Sequence, residues 1–149
     1  MWANKYSVKE IFVGRGDYDA DLSEQINQFC RENNIRCGMV NAIGAIKNIK
    51  VGYYKQDVKK YVELDENLSD KGPFEIITCN GNVSIRDGEP FCHLHIVVSD
   101  SEGKCYGGHL MPGVKIFALE FTIYSFEGEE LKREIDEVTK LPLWVKREM

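Results

Sequence analysis

The sequence predicts an α+β fold: one large, mainly antiparallel, strongly bent β-sheet with a single clear amphipathic helix. Three observations carry that expectation. Runs rich in β-branched and aromatic residues recur along most of the chain, and Gly or Asn/Asp-Gly steps separate them. Only one segment shows the three-and-four spacing of an amphipathic helix. The length of 149 residues, with 43% hydrophobic and 29% charged residues, fits one domain with an ordinary core.

Tyr6 to Val13 reads as a first strand, closed by Gly14-Arg15-Gly16. Asp21-Leu22-Ser23-Glu24 resembles a capping box. Leu22, Ile26, Phe29 and Cys30 then mark one helix face that ends near Asn33-Asn34. Strands are expected over 35–45, 46–54, 59–64, 74–79, 83–86, 91–99, 104–111 and 115–126, with turns at Asn80-Gly81 and Asp87-Gly88. That is a large number for the length, so some should merge. The tail from Gly128 is charged and carries a late apolar group, Leu141-Pro142-Leu143-Trp144, consistent with a final strand and a docked segment. A single domain over 1–149 is therefore expected.

Composition narrows the function. Twenty-four acidic residues against 19 basic give a net charge of −5. A domain that neutralises DNA phosphates usually carries a basic surface, so duplex DNA is disfavoured as a partner. No run is apolar and long enough for a membrane helix, and Met1 to Lys5 lacks the apolar core of a secretory signal. Cys30, Cys37, Cys79, Cys92 and Cys105 are odd in number, scattered and without CxxC spacing. They read as reduced thiols of a cytoplasmic protein.

The chain has three histidines, His93, His95 and His109. In a strand, His93 and His95 share one face while Leu94 and Ile96 take the other. If Asp100-Ser101-Glu102-Gly103-Lys104 forms a hairpin with Gly103 in the left-handed position, Asp100 pairs with Lys104 and His95 with His109. All three imidazoles then converge. Three neutral imidazoles with a fourth position open describe a catalytic-type Zn²⁺ site, and other divalent first-row metals suit the same ligands. Cys92 should face away and is not a ligand. Gly107 and Gly108 flank the site; they leave room for a ligand or else form a bulge that shifts the register. Glu75 and Glu120 are acids within apolar strands, so each is a candidate acid/base or ligand-orienting group, or a partner at a subunit contact. Arg15-Gly16-Asp17 is a chance likeness to an adhesion tripeptide, and Gly14-x-Gly16 is better read as a turn than as an anion cradle.

Gly88-Glu89-Pro90-Phe91-Cys92-His93-Leu94-His95 and Gly103-Lys104-Cys105-Tyr106-Gly107-Gly108-His109-Leu110 closely resemble the signature of the plant- and prokaryote-conserved (PPC) domain, also called domain of unknown function 296. Gly72-Pro73-Phe74-Glu75-Ile76-Ile77-Thr78 and the segment Cys37 to Tyr54 fit the same family. The likeness spans roughly residues 6 to 127, leaving a charged C-terminal extension. It implies a compact homotrimer with one metal per chain, usually zinc, on His93, His95 and His109. It also implies a fold similar to that of acetolactate decarboxylase, an enzyme with zinc on three histidines. Plant members carry an AT-hook beside the domain, and this chain has none. Three functions follow as expectations: a metal-binding trimer, a DNA- or protein-binding module with a structural metal, and a zinc-dependent lyase or hydrolase on a small molecule.

Overall fold

The computed structural model describes residues 1–64, 68 and 72–146. Eight strands form one sheet: β1 (Ser7–Arg15), β2 (Gly38–Ile46), β3 (Val51–Lys55), β4 (Lys60–Glu63), β5 (Phe74–Arg86), β6 (Glu89–Ser99), β7 (Cys105–Leu110) and β8 (Ile116–Glu127). Their order is β1-β8-β2-β5-β6-β7-β3-β4, and every neighbouring pair is antiparallel. A separate hairpin of β9 (Arg133–Ile135) and β10 (Pro142–Trp144) follows. The predicted α+β class, a large bent antiparallel sheet with one helix, is what the chain adopts. The last three residues of the charged extension lie outside the described residues.

The helix α1 (Leu22–Glu32) begins where the sequence placed it. Asp21 Oδ1 accepts from Glu24 N at 3.0 Å, satisfying one orphan donor of the first turn, and from the Ser23 hydroxyl at 2.8 Å. The capping box is only half formed, because the Glu24 carboxylate reaches forward to Arg31 instead of back to the cap. Asp21 Oδ2 also accepts from Gly113 N at 2.6 Å, tying the helix start to the loop before β8. Leu22, Ile26 and Cys30 are buried and lie against one face of the sheet. That face is built by alternation: Val40 and Ala42, Cys79 and Val83, Leu94, Ile96 and Val98, Leu119 and Ile123 all point into one core.

Two turn expectations came out differently. Asp87-Gly88 is a two-residue hairpin, with φ of 53° and 87° and Arg86 paired to Glu89. Asn80-Gly81 is not a turn. The expected strands 74–79 and 83–86 merge into the single strand β5, in which Gly81 pairs with Val40 on one side and Leu94 on the other. A Cβ on Gly81 would stand 1.8 Å from the His93 carbonyl oxygen, so this glycine serves close strand approach. The expected strand over 46–54 shortens to Val51–Lys55, because Ile46 already ends β2.

Candidate metal centre

Strand alternation separates the chemistry of β6 cleanly. Cys92, Leu94 and Ile96 are 6%, 2% and 1% exposed on the core side, and His93 and His95 project from the opposite face. The Cys92 thiol meets Cys30 of α1 at 3.7 Å, so it is unavailable to a ligand set on the other side.

The β6–β7 turn sets the position of the third histidine. Asp100 N donates to Lys104 O, and Gly103 N to Asp100 O, each at 3.0 Å, with Gly103 at φ 78°. The Asp100 carboxylate stiffens the turn by accepting from Glu102 N and Lys104 N at 2.9 Å. The resulting register pairs His95 with His109, as the turn geometry predicts. Pairing continues unbroken through Val97–Gly107 and Ile96–Gly108, so no bulge forms there. Gly107 and Gly108 do not open space for a ligand. A Cβ would come within 2.6 Å of Ile96 O at Gly107 and 2.8 Å of Gly52 O at Gly108, so both glycines let neighbouring backbones approach.

His93 Nε2 lies 3.1 Å from His109 Nδ1 and 3.2 Å from His95 Nε2. A ring nitrogen offers either one N–H or one in-plane lone pair. His93 Nε2 can therefore satisfy one of these contacts as a hydrogen bond, not both. Ligand nitrogens around a tetrahedral zinc, with bonds of ~2.0–2.1 Å, stand about 3.3 Å apart. Two of the three separations are close to that spacing and all three ligand atoms lie within 4.8 Å of one another, so the triad suits a small divalent cation in its chemistry and, at His93, in its geometry.

The surroundings favour the neutral state that ligation needs at His93 and His109. Burial lowers the His93 pKa to about 4, helped by Arg133, His109 and His95. Burial also lowers the His109 pKa, with His95 and Arg133 acting in the same direction. Tyr61 of β4 packs on the His109 ring with centroids 5.0 Å apart.

Arg133 is the residue that sequence reasoning missed. It sits in the charged extension, and no local signal marks it. Its Nε donates to Ser84 Oγ at 2.7 Å, Nη2 to Asn82 Oδ1 at 2.8 Å and Nη1 to Pro142 O at 2.8 Å. Asn82 is paired with His93 across the β5–β6 ladder, so these bonds bring the guanidinium to the triad. The only forewarning was Leu141 to Trp144, whose apolar character implied docking.

Glu75 and Glu120 do not join the site. Glu75 stands exposed where β5 begins, opposite Ser99, beside a different cavity with Asp100 and Phe117. Glu120 is exposed on β8, paired with Ile43 and Arg15, with β2 and β5 between it and β6. Both acids alternate to the solvent side of their strands, which relieves the burial cost that had singled them out.

A sequence profile of the Plants and Prokaryotes Conserved (PCC) domain, the family abbreviated PPC above, matches residues 3–127. The chain belongs to the PCC domain family. Several solved structures share its architecture. A metal-containing protein of Archaeoglobus fulgidus is 38% identical, with a TM-score of 0.90 over 98% of this chain and 100% of that one. A PPC protein of Pyrococcus horikoshii is 31% identical, with a TM-score of 0.86 over the whole of both chains. A Bacteroides thetaiotaomicron protein given a provisional DNA-binding name is 26% identical, with a TM-score of 0.79 over 95% of this chain and 98% of that one. Among curated proteins, the "Bifunctional protein GlmU" of Synechococcus sp. (strain JA-3-3Ab) is 32% identical over 98 residues, which is 65% of this PCC chain. The chain spans 14% of that relative's length.

Proposed function

We propose that this PCC-domain chain binds one divalent metal ion, zinc being the best match, on His93, His95 and His109, with a fourth position open to a small molecule. The convergence of three imidazole nitrogens around His93 Nε2 carries the reading. A relative named as metal-containing, 38% identical over nearly the full length, supports it. A metal so held would supply Lewis acidity to whatever occupies the open position. The chain's own part is to favour the neutral form of His93 and His109, to set the three rings on one face through the β6–β7 register, and to bring Arg133 beside them.

Homotrimerisation belongs to the same proposal. The outer face of the sheet exposes Ile11, Val13, Met39, Ile43 and Tyr124 on adjoining strands, the kind of clustered apolar surface that a subunit contact would cover. Sedimentation analysis should give three chains, and a Val13→Glu variant should shift the species toward monomer. The five free cysteines, four of them buried, suit a reducing cytoplasm. Among the described residues no helix is long and apolar enough to cross a membrane.

Elemental analysis of untagged protein tests the centre. About one zinc per chain in the wild type and none in His95→Ala is expected. Absence of metal in both, even after incubation with Zn²⁺, would sink the reading. The relative with a DNA-binding name favours a nucleic-acid module as the second reading. The net charge of −5 weighs against it, and binding that fell steeply with salt would revive it. A lyase or hydrolase needs an acid/base group near the metal. Among the described residues no Asp or Glu lines the cavity beside the triad, which favours binding or Lewis-acid chemistry over carboxylate-assisted hydrolysis.

A further inference from the structure

A cavity of about 360 Å³ opens beside the triad, walled by β4, β6 and the terminal hairpin. That volume suits a small organic ligand and is too small for duplex nucleic acid. His93 and His109 form part of its wall. Lys59, Lys60, Arg86, Arg133 and Lys140 also line it, with no acidic residue among the described lining. Five cations around one small space are unexpected in a chain with five more acidic than basic residues. Arg86 and Lys140 have acidic neighbours, Asp87 at 3.6 Å and Glu137 at 2.5 Å. Among the described residues, Arg133, Lys59 and Lys60 make no ion pair.

Arg133 is the telling member. It is half-buried, its three hydrogen bonds go to neutral acceptors, and its other close partners are the Phe91 and Trp144 rings at 5.8 and 5.4 Å, so among the described residues no carboxylate neutralises it. A cation withdrawn from water without a counter-charge is costly. Neighbouring Arg86 adds repulsion. Three neutral imidazoles bring no negative charge, so a metal dication bound there would keep its full +2 and deepen the deficit. Phe91 gives the cavity an apolar wall, with the Arg86 and Arg133 guanidiniums 5.3 and 5.8 Å from its ring centroid, and Tyr61 faces it from β4.

We propose that this cavity binds a small molecule bearing an oxyanion, a carboxylate or phosphate, with the oxyanion on Arg133 and the rest of the ligand against Phe91 and Tyr61. The site deepens the metal reading and rests on it for the oxyanion's second anchor, the open coordination position. Arg133 selects charge, Lys59, Lys60 and Arg86 raise the local anion concentration, and the aromatic rings accept an apolar body. Arg133, the member that selects charge, lies beyond the part of the chain that the PCC profile matches, whereas Lys59, Lys60, Tyr61, Arg86 and Phe91 lie within it.

The test is calorimetric titration of the full chain, zinc-loaded and zinc-free, with phenyl phosphate, benzoate and the neutral benzyl alcohol. Phenyl phosphate or benzoate should bind about tenfold or more tightly than benzyl alcohol, the tighter of the two identifying the oxyanion. Arg133→Met should weaken that anion about tenfold or more. Lys60→Gln and Arg86→Gln should each weaken it about threefold, and Lys9→Gln on β1 should change nothing. Equal binding of anion and alcohol overturns the proposal. So does undiminished anion binding in an Arg133→Met protein with unchanged circular dichroism. Should Arg133→Met fail to fold, unchanged affinity in a Lys60→Gln, Arg86→Gln double variant overturns it instead. Anion binding that needs Arg133 in a protein that takes up no zinc upholds the anion site and ends the metal reading. Zinc uptake without anion preference ends the anion site alone.

Discussion

Two hairpins meet at the centre, and they are built on different grounds. The β6–β7 hairpin holds all three histidines within residues 93–109, inside the segment that the PCC profile matches. Its geometry is local: strand alternation sets the face, and one turn sets the register. The β9–β10 hairpin lies beyond residue 127 and contributes Arg133 with much of the cavity wall. Its placement is tertiary. Tyr54 Oη donates to Thr139 O at 2.6 Å, Ile85 N to Leu131 O at 2.8 Å, and Arg133 reaches Ser84 and Asn82. The difference teaches that the histidine triad is set by local geometry, whereas the guanidinium beside it is set by tertiary docking of a distant segment.

The largest effect that would break this comparison is on the first hairpin. His93→Ala removes the nitrogen that both other histidines face, and zinc per chain should fall from about one to near zero by elemental analysis. The terminal hairpin should remain docked in that variant, read as unchanged amide exchange at Arg133 to Ile135. Loss of both together would show that the two hairpins are one unit.

Gly81→Ala is next. Its Cβ would collide with the His93 carbonyl at 1.8 Å, so β5 and β6 must part. Urea unfolding should show a loss of about 2–3 kcal/mol. Gly88→Ala, at φ 87° with nothing within 4 Å, should cost only about 1–2 kcal/mol from the strained dihedral.

The pH dependence of the metal-free protein sharpens the comparison from the electrostatic side. His93 titrates near 4 when folded, against an ordinary value of 6.5, and His109 is lowered too. Between those values the unfolded chain binds more protons, so stability rises with pH. The contribution is full above about pH 6.5 and is lost as pH falls toward 4. Chemical denaturation across that window should show a decline on the order of 2 kcal/mol from His93. In Arg133→Met the decline should shrink, because Arg133 is one cause of the depression.

The smallest effect belongs to the tether of the second hairpin. Tyr54→Phe removes one hydrogen bond, worth about 1 kcal/mol. Amide exchange over residues 133–144 should quicken, and zinc content should hold.

Legibility followed the same division. The Asp21 cap, the Leu22–Ile26–Cys30 face and the Asp87-Gly88 turn are local, and neighbouring residues are enough to specify each of them. The meeting of His93, His95 and His109 was legible because the turn ending at Gly103 sets the register two strands need. Asn80-Gly81 misled because turn chemistry and close strand approach both call for glycine, and only the partner strand decides between them. Glu75 and Glu120 misled because an acid in an apolar run is costly only if its side chain points inward, and both point outward. Arg133 was invisible because its partners, Ser84 and Asn82, lie far away in sequence and are joined to it only by folding.

The compactness of the β6–β7 hairpin also has an engineering reading. Seventeen consecutive residues, one turn and one register carry all three imidazoles of the candidate metal site. Such a cassette is portable: transplanted onto an unrelated antiparallel sheet with glycines at the close approaches, it should carry the triad with it. The ring of cations would stay behind, so a recipient scaffold would acquire the metal without inheriting a taste for any particular anion.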